Sequence, residues 1–293
     1  MSHITKDVNL KDIECSMKVI VANALREDRI KKDITTDSFI PKYAKVSAKI
    51  IAKEEGVICG LPIAEKIFKT LDKDCKFKGK DDKENAKKGD AIAEINGNTR
   101  AILTGERIAL NFLQHLSGIA TETRKYVDAA AGKFDIYDTR KTHPGLRLLE
   151  KYAVVCGGGK NHRLRLDDLV LIKDNHLEYL KHMDKGKLNN TIGKLKRTHK
   201  VEIECSTPEE VEFALSLYPD IIMLDNMENG TMANAIAVVR KSLPQTLIEV
   251  SGEMNIDKIK QIANSALDID FVSVGKITHS AKDIDFSLEF DKI

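Results

Sequence analysis

Apolar and polar positions divide the chain into two stretches with different rhythms. In the first hundred residues two periods alternate. VIVANALRED (Val19–Asp28) repeats its apolar residues at helical spacing. Leu61–Leu71 does the same, with Pro62 in the first turn and Ile63, Ile67, Phe68 and Leu71 on one face. Val46–Cys59 and Ala91–Leu103 alternate instead, which predicts strands, the former around a turn at Glu54-Glu55-Gly56. Glu106–Ala131 then reads as one long helical stretch, broken or kinked near Ser117-Gly118.

Beyond it a single unit recurs: a short, mostly β-branched run ending in a polar residue or glycine, then a helical segment. The runs are FDIY before Asp138, LVLI before Lys173, VEIE before Cys205, IIML before Asp225, LIEV before Ser251 and FVSV before Gly275. Thr207-Pro208 and Asn255 mark helix starts between them. Apolar strands alternating with helices predict a parallel sheet covered on both faces. Six units, not eight, predict an α/β fold in which an N-terminal α+β domain packs on an incomplete, open (β/α) barrel. The expected division is 1–110 for the first domain, joined by the tail 277–293, and 111–276 for the barrel.

Composition narrows the function classes. The 293 residues carry 47 Lys and Arg against 45 Asp and Glu, a net charge of +2, with 42% apolar and 31% charged residues. That balance fits a globular chain with a real core and excludes a disordered one or a nucleic-acid binder relying on bulk charge. No apolar run approaches the roughly 18 residues that span a bilayer, and the polar start resembles no signal or transit peptide. Nucleic acid and membrane are therefore not expected partners. Five scattered cysteines without a CxxC pair predict buried thiols in a reducing cytoplasm, not disulfides or a zinc site. Lys76–Asp90 and Lys181–Lys200 read as solvated surface, the latter with an exposed helix.

Charge is distributed unevenly. Arg140 through Asp174 holds eight Lys and Arg against four Asp and Glu. Such barrels place functional groups where strands end, and there this chain puts Arg140, Lys141, Lys173, Glu204, Asp225, Ser251, Gly252 and Gly275. Positive groups in that position imply an anionic ligand, since arginine grips carboxylate and phosphate bidentately. Two separate acids facing this field, Glu204 and Asp225, are a way to hold Mg²⁺ beside a phosphorylated substrate. The last two strands are where barrels often bind phosphate through backbone N–H groups. Period two alone leaves open whether Glu202 or Glu204 is the ligand, and an ion pair from Glu204 to Arg140 or Lys141 is the bland alternative.

Four blocks carry a resemblance: GERIALNFLQHLSGIAT (Gly105–Thr121), DTRKTHPGLRLLEKYAVVCGGGKNHRLRLDDLVLIKDNH (Asp138–His176), IIMLDNM (Ile221–Met227) and SVGKITHS (Ser273–Ser280). They resemble the signature blocks of the quinolinate phosphoribosyltransferase family, and Ala52–Phe68 is similar to its N-terminal domain. The resemblance implies that quinolinate and 5-phosphoribosyl-1-pyrophosphate give nicotinate mononucleotide, pyrophosphate and CO₂, with Mg²⁺. It implies that Arg140, His162 and Arg163 grip the quinolinate carboxylates, and that Lys141 and Lys173 lie near carboxylate and pyrophosphate. Glu204 and Asp225 would serve the ribose and the metal. Ser251, Gly252 and Gly275, with His279, would hold the 5′-phosphate. Arg107 would reach a neighbouring subunit's site, implying a homodimer. Two other readings remain open at this point: a same-fold paralogue associated with molybdenum transport, and a Schiff-base aldolase using Lys173.

Overall fold

The computed structural model describes residues 4–291, so the last two residues of the expected tail lie outside the described part. Helix α1 (Leu10–Glu27) starts at a capping box, in which Asn9 accepts from the N–H groups of Lys11 and Asp12 while Asp12 accepts from Asn9 N–H. Its buried residues Ile13, Met17, Val21 and Leu25 recur every fourth position, one stripe of a helix. There follow α2 (Ile34–Phe39), β1 (Lys45–Ala52), β2 (Gly56–Val57), α3 (Leu61–Leu71), β3 (Lys76–Gly79), β4 (Asn85–Ala86) and β5 (Ala91–Asn98).

Helix α4 (Thr99–Ala130) comes next and corrects two expectations. Strand β5 ends at Asn98 rather than running to Leu103, because the Asn98 side chain accepts from the N–H groups of Arg100 and Ala101 and starts the helix there. The helix is not broken at Ser117-Gly118. Those small residues serve close packing instead. Ser117 Oγ accepts from Cys59 N–H at 3.0 Å and donates to Cys59 C=O at 3.1 Å. A Cβ on Gly118 would strike the backbone of Lys282 and Asp283.

The remaining elements are β6 (Asp135–Tyr137), α5 (Arg147–Cys156), β7 (Val170–Ile172), α6 (Asp174–Leu180), α7 (Lys185–Leu195), β8 (Val201–Cys205), α8 (Pro208–Leu215), β9 (Ile221–Asp225), α9 (Asn229–Ser242), β10 (Leu247–Ser251), α10 (Ile256–Ala263), β11 (Phe271–Ser273), α11 (Lys276–His279) and β12 (Phe286–Phe290). All six expected βα strands form. They make one parallel sheet in the order β6-β11-β10-β9-β8-β7. β6 and β7 are its edges and do not pair with each other, so the barrel is open.

The chain divides into two compact units. The barrel unit comprises 1–6, 125–141 and 159–276. The α+β unit comprises 7–124, 142–158 and 277–293, with an antiparallel sheet in the order β12-β1-β5-β3. Its edge strand β12 comes from the tail and pairs Ala48–Ala52 with Phe290–Phe286. Four cysteines are buried, as expected, but Cys15 is exposed on the polar side of α1. Lys76–Asp90 is more than solvated surface: Asp82 accepts from the N–H groups of Gly60 and Leu61, at the start of α3, and from Tyr152 Oη–H.

Candidate active site

Because its strands are parallel, the barrel unit brings all six of their carboxyl ends to one edge of the sheet. Asp138 and Arg140 follow β6, Lys173 follows β7, Glu204 lies near the end of β8, Asp225 and Ser251 close β9 and β10, and Gly275 follows β11. The register sets Asp225 beside Ser251, and Ser273 Oγ donates to Ser251 Oγ at 3.1 Å.

The two glutamates of β8 separate cleanly. Glu202 has no solvent exposure, whereas Glu204 is ion-paired with Lys173. The partner is Lys173, not the Arg140 or Lys141 considered from sequence, because β7 and β8 are paired neighbours. The Lys173 side chain is half exposed. A half-exposed amine held by a carboxylate is the opposite of the desolvated amine a Schiff base needs.

Arg163 is 7% exposed, and its Nη1 donates to Leu169 C=O at 3.2 Å. Burial, and then the nearby Arg140 guanidinium, push its pKa down. Two guanidinium groups thus stand close enough to feel each other, an arrangement that favours a shared anion. Their segment is anchored by Asp138. This fully buried carboxylate accepts from Asn161 Nδ2–H at 2.7 Å and from His162 N–H at 2.9 Å. Lys141 is exposed, with its N–H on Thr139 Oγ1.

His162 is buried, and both ring nitrogens are engaged within the protein. Nδ1 accepts from Arg163 N–H at 2.8 Å, while Nε2 lies 3.0 Å from Glu202 and 3.2 Å from Glu249. The resemblance alone placed the His162 ring on a substrate carboxylate; in the fold its nearest acids are the protein's own. Burial pushes the imidazole pKa down, but the charges of Glu202 and Glu249 outweigh this and raise it to about 10.

At the phosphate end, Gly252 has φ +121°, and a Cβ there would collide with Asn226. Asn226 accepts from Glu253 N–H at 2.9 Å and donates its own N–H to Ser251 C=O at 3.2 Å, which ties the ends of β9 and β10 together. The Glu253 side chain is exposed.

Arg107 and His279 belong to the α+β unit. Arg107 is exposed on α4, and the His279 ring is hydrogen-bonded to Ser280 Oγ at 2.6 Å. Three residues escaped the sequence analysis as site residues, Asp138, Asn226 and Glu249, and Glu202 entered it only as the alternative to Glu204. The available signal was an acid inside an otherwise apolar strand, as in VEIE and LIEV.

Two family profiles match the chain, the N-terminal domain of quinolinate phosphoribosyl transferase over residues 33–117 and its C-terminal domain over 119–289. The chain belongs to the quinolinate phosphoribosyl transferase family. A probable carboxylating nicotinate-nucleotide pyrophosphorylase of Methanocaldococcus jannaschii is 40% identical over 92% of this chain and 95% of its own length. Another, of Synechocystis sp., is 43% identical over 77% of this chain and 76% of its own. The crystal structure of NadC from Streptococcus pyogenes superposes with a TM-score of 0.86 at 37% identity, covering 98% of this chain and all of that one. The open barrel and the α+β unit are thus those of the phosphoribosyl transferase family. No helix among the described residues is long and apolar enough to cross a membrane.

The family's expected Mg²⁺ can be tested against this donor set. Glu204 and Asp225 offer half-buried carboxylates from adjacent strands, with no nitrogen or sulfur ligand between them. That set fits a hard cation completed by water and substrate phosphates rather than a closed protein cage. The Lys173 ammonium holds the Glu204 carboxylate in the structure.

Proposed function

We propose that this chain catalyses the quinolinate phosphoribosyltransferase reaction of NAD biosynthesis, with the barrel's strand ends as its site. The supporting observation is the placement of Arg140 and Arg163, Lys173, Glu204, Asp225 and Ser251-Gly252 along one sheet edge, within a member of this family. Arg140 and Arg163 take the quinolinate carboxylates, and His162 contributes through its bond to Arg163. Lys141 and Lys173 stand at the carboxylate and pyrophosphate. Ser251, Gly252 and Gly275 take the 5′-phosphate.

The chemistry follows from charge. The bond from C1 of the ribose to pyrophosphate breaks, leaving an oxocarbenium-like sugar. Lys141 and Lys173 stabilise the charge growing on the leaving group. Mg²⁺ held by Glu204 and Asp225 would supply further Lewis-acid stabilisation there. The pyridine nitrogen bonds to C1, the cationic ring accepts the electron pair as the adjacent carboxylate leaves as CO₂, and a proton takes its place. Glu204 also balances Lys173 before substrate arrives.

Exposed Arg107 completes a partner's site, which makes the working unit at least a homodimer. The five free cysteines fit a reducing compartment such as the cytoplasm. The deciding experiment is quinolinate-dependent CO₂ release by purified protein with Mg²⁺ and phosphoribosyl pyrophosphate. Release supports the assignment, and none under those conditions overturns it. Lys141→Ala should lower the rate about a hundredfold or more.

A further inference from the structure

His115, His143 and Glu150 belong to the α+β unit and take no part in the chemistry above. His115 lies on α4, His143 in the segment before α5, and Glu150 on α5 itself. The Glu150 carboxylate has no solvent exposure. Both rings turn to one of its oxygens: Oε1 lies 2.9 Å from His115 Nε2 and 2.6 Å from His143 Nδ1. The rings stand at 79° to each other with centroids 5.3 Å apart, so both nitrogens can aim at one point. The three atoms lie within 4.8 Å of one another.

The groups around this point suit a metal ion. Glu150 Oε2 accepts from His143 N–H at 3.1 Å, which holds the carboxylate plane and leaves Oε1 to the two nitrogens. Asp283 Oδ1 lies 3.6 Å from His115 Nδ1, the other ring nitrogen. A carboxylate behind an imidazole keeps a proton on the far nitrogen and makes the near one a lone-pair donor. Nε2 and Oε1 then face each other as two acceptors unless a second proton or a cation sits between them. The His143 side chain is half exposed, which opens a route for an ion and a position for water. Two imidazole nitrogens, one carboxylate oxygen and an open fourth position are the donor set of a zinc-like ion. Tetrahedral bonds of about 2.0–2.1 Å set ligand atoms about 3.3 Å apart, so the nitrogens would move out from Oε1 by about 0.5 Å. The half-exposed His143 ring has room for that shift. Cys59, Asp82 and Cys156, also in this unit, lack these features: Asp82 already accepts three hydrogen bonds, and both thiols are buried.

We propose that His115, His143 and Glu150 form a site for one divalent transition-metal ion of the zinc class, with Asp283 supporting His115 from behind. The ion replaces the protons between the rings and Oε1, and ties α4 to α5 and to the segment before it. Its nitrogen ligands set it apart from the all-oxygen pair Glu204 and Asp225, which suits Mg²⁺. Without the metal, the three side chains remain joined by their hydrogen bonds.

The test uses the full-length protein, stripped with chelator and kept in excess Mg²⁺ so that oxygen sites are occupied. Zinc titrated calorimetrically should bind at one equivalent, and X-ray absorption of the zinc-bound protein should show imidazole nitrogen and no sulfur. Saturating zinc should raise Tm by about 5 °C. His143→Ala, at a half-exposed position, should weaken binding about a hundredfold or more, and Asp283→Asn about tenfold. No zinc binding in the micromolar range, sulfur ligation, or equal affinity in wild type and His143→Ala overturns the site. Each of these readings is independent of CO₂ release.

Discussion

At Gly252 the backbone turns through a conformation that side chains rarely adopt, and Asn226 occupies the space a Cβ would need. Gly252→Ala should therefore cost about 1–3 kcal/mol, read as a lowered Tm, and raise KM for phosphoribosyl pyrophosphate. A second residue-scale consequence concerns His115, His143 and Glu150. The Glu150 carboxylate is fully buried and accepts from His115 Nε2–H at 2.9 Å, His143 Nδ1–H at 2.6 Å and His143 N–H at 3.1 Å. Burial pushes Glu150 up, but these bonds outweigh it and lower its pKa below 4.5. Burial pushes His115 down, but Glu150 and Asp283 outweigh that and raise it above 6.5. The raised imidazole contributes fully below its unfolded pKa and is lost as pH rises through the folded value. The lowered carboxyl contributes above its unfolded pKa and is lost as pH falls through the folded value. The cluster is thus strongest between about pH 4.5 and about pH 6.5. The Tm gap between wild type and His115→Gln should shrink from about pH 6 to about pH 8, and a constant gap would contradict the ion pair. The identities of Arg140, Lys173 and Glu204 as strand-end groups were legible from the sequence. The pairing of Glu204 with Lys173, and the His162 contact with two buried acids, were not, because partners from distant strands meet only after the sheet is assembled.

Among the elements, helix α4 shows where local rules and packing disagree. Replacing a helical glycine by alanine ordinarily stabilises by about 1 kcal/mol. Gly118→Ala should do the reverse, because its methyl group would strike the backbone of Lys282 and Asp283. We expect a net loss of about 1–3 kcal/mol and a lower Tm, whereas a raised Tm would show that the tail segment yields easily. The six βα strands and helix α3 were legible because period and cap signals agree with burial on both faces. The start of α4 was not. Ile102 and Leu103 continue the alternation of β5, and only the Asn98 cap turns them into helix.

For the whole molecule, the α+β unit is assembled from three separate chain segments. Its sheet takes its edge strand from the tail, where Phe286–Phe290 pair with β1. Truncation before Asp285 should therefore expose the β1 edge and give a protein that aggregates or melts lower, measured by light scattering with heating. A shared site predicts that inactive Arg107→Ala and Lys141→Ala proteins regain some activity when mixed. No recovery after verified subunit exchange would exclude the dimeric site. By itself, the sequence determined the fold class, the count of parallel strands and the kind of ligand. Hydrophobic period, strand-end residue type and local charge are properties of adjacent residues. The tertiary structure alone decided which acid pairs with Lys173 at the strand end and which lies fully buried. Glu202 and Glu204 share a strand and a chemistry, and differ only in what the neighbouring strands and His162 bring to them.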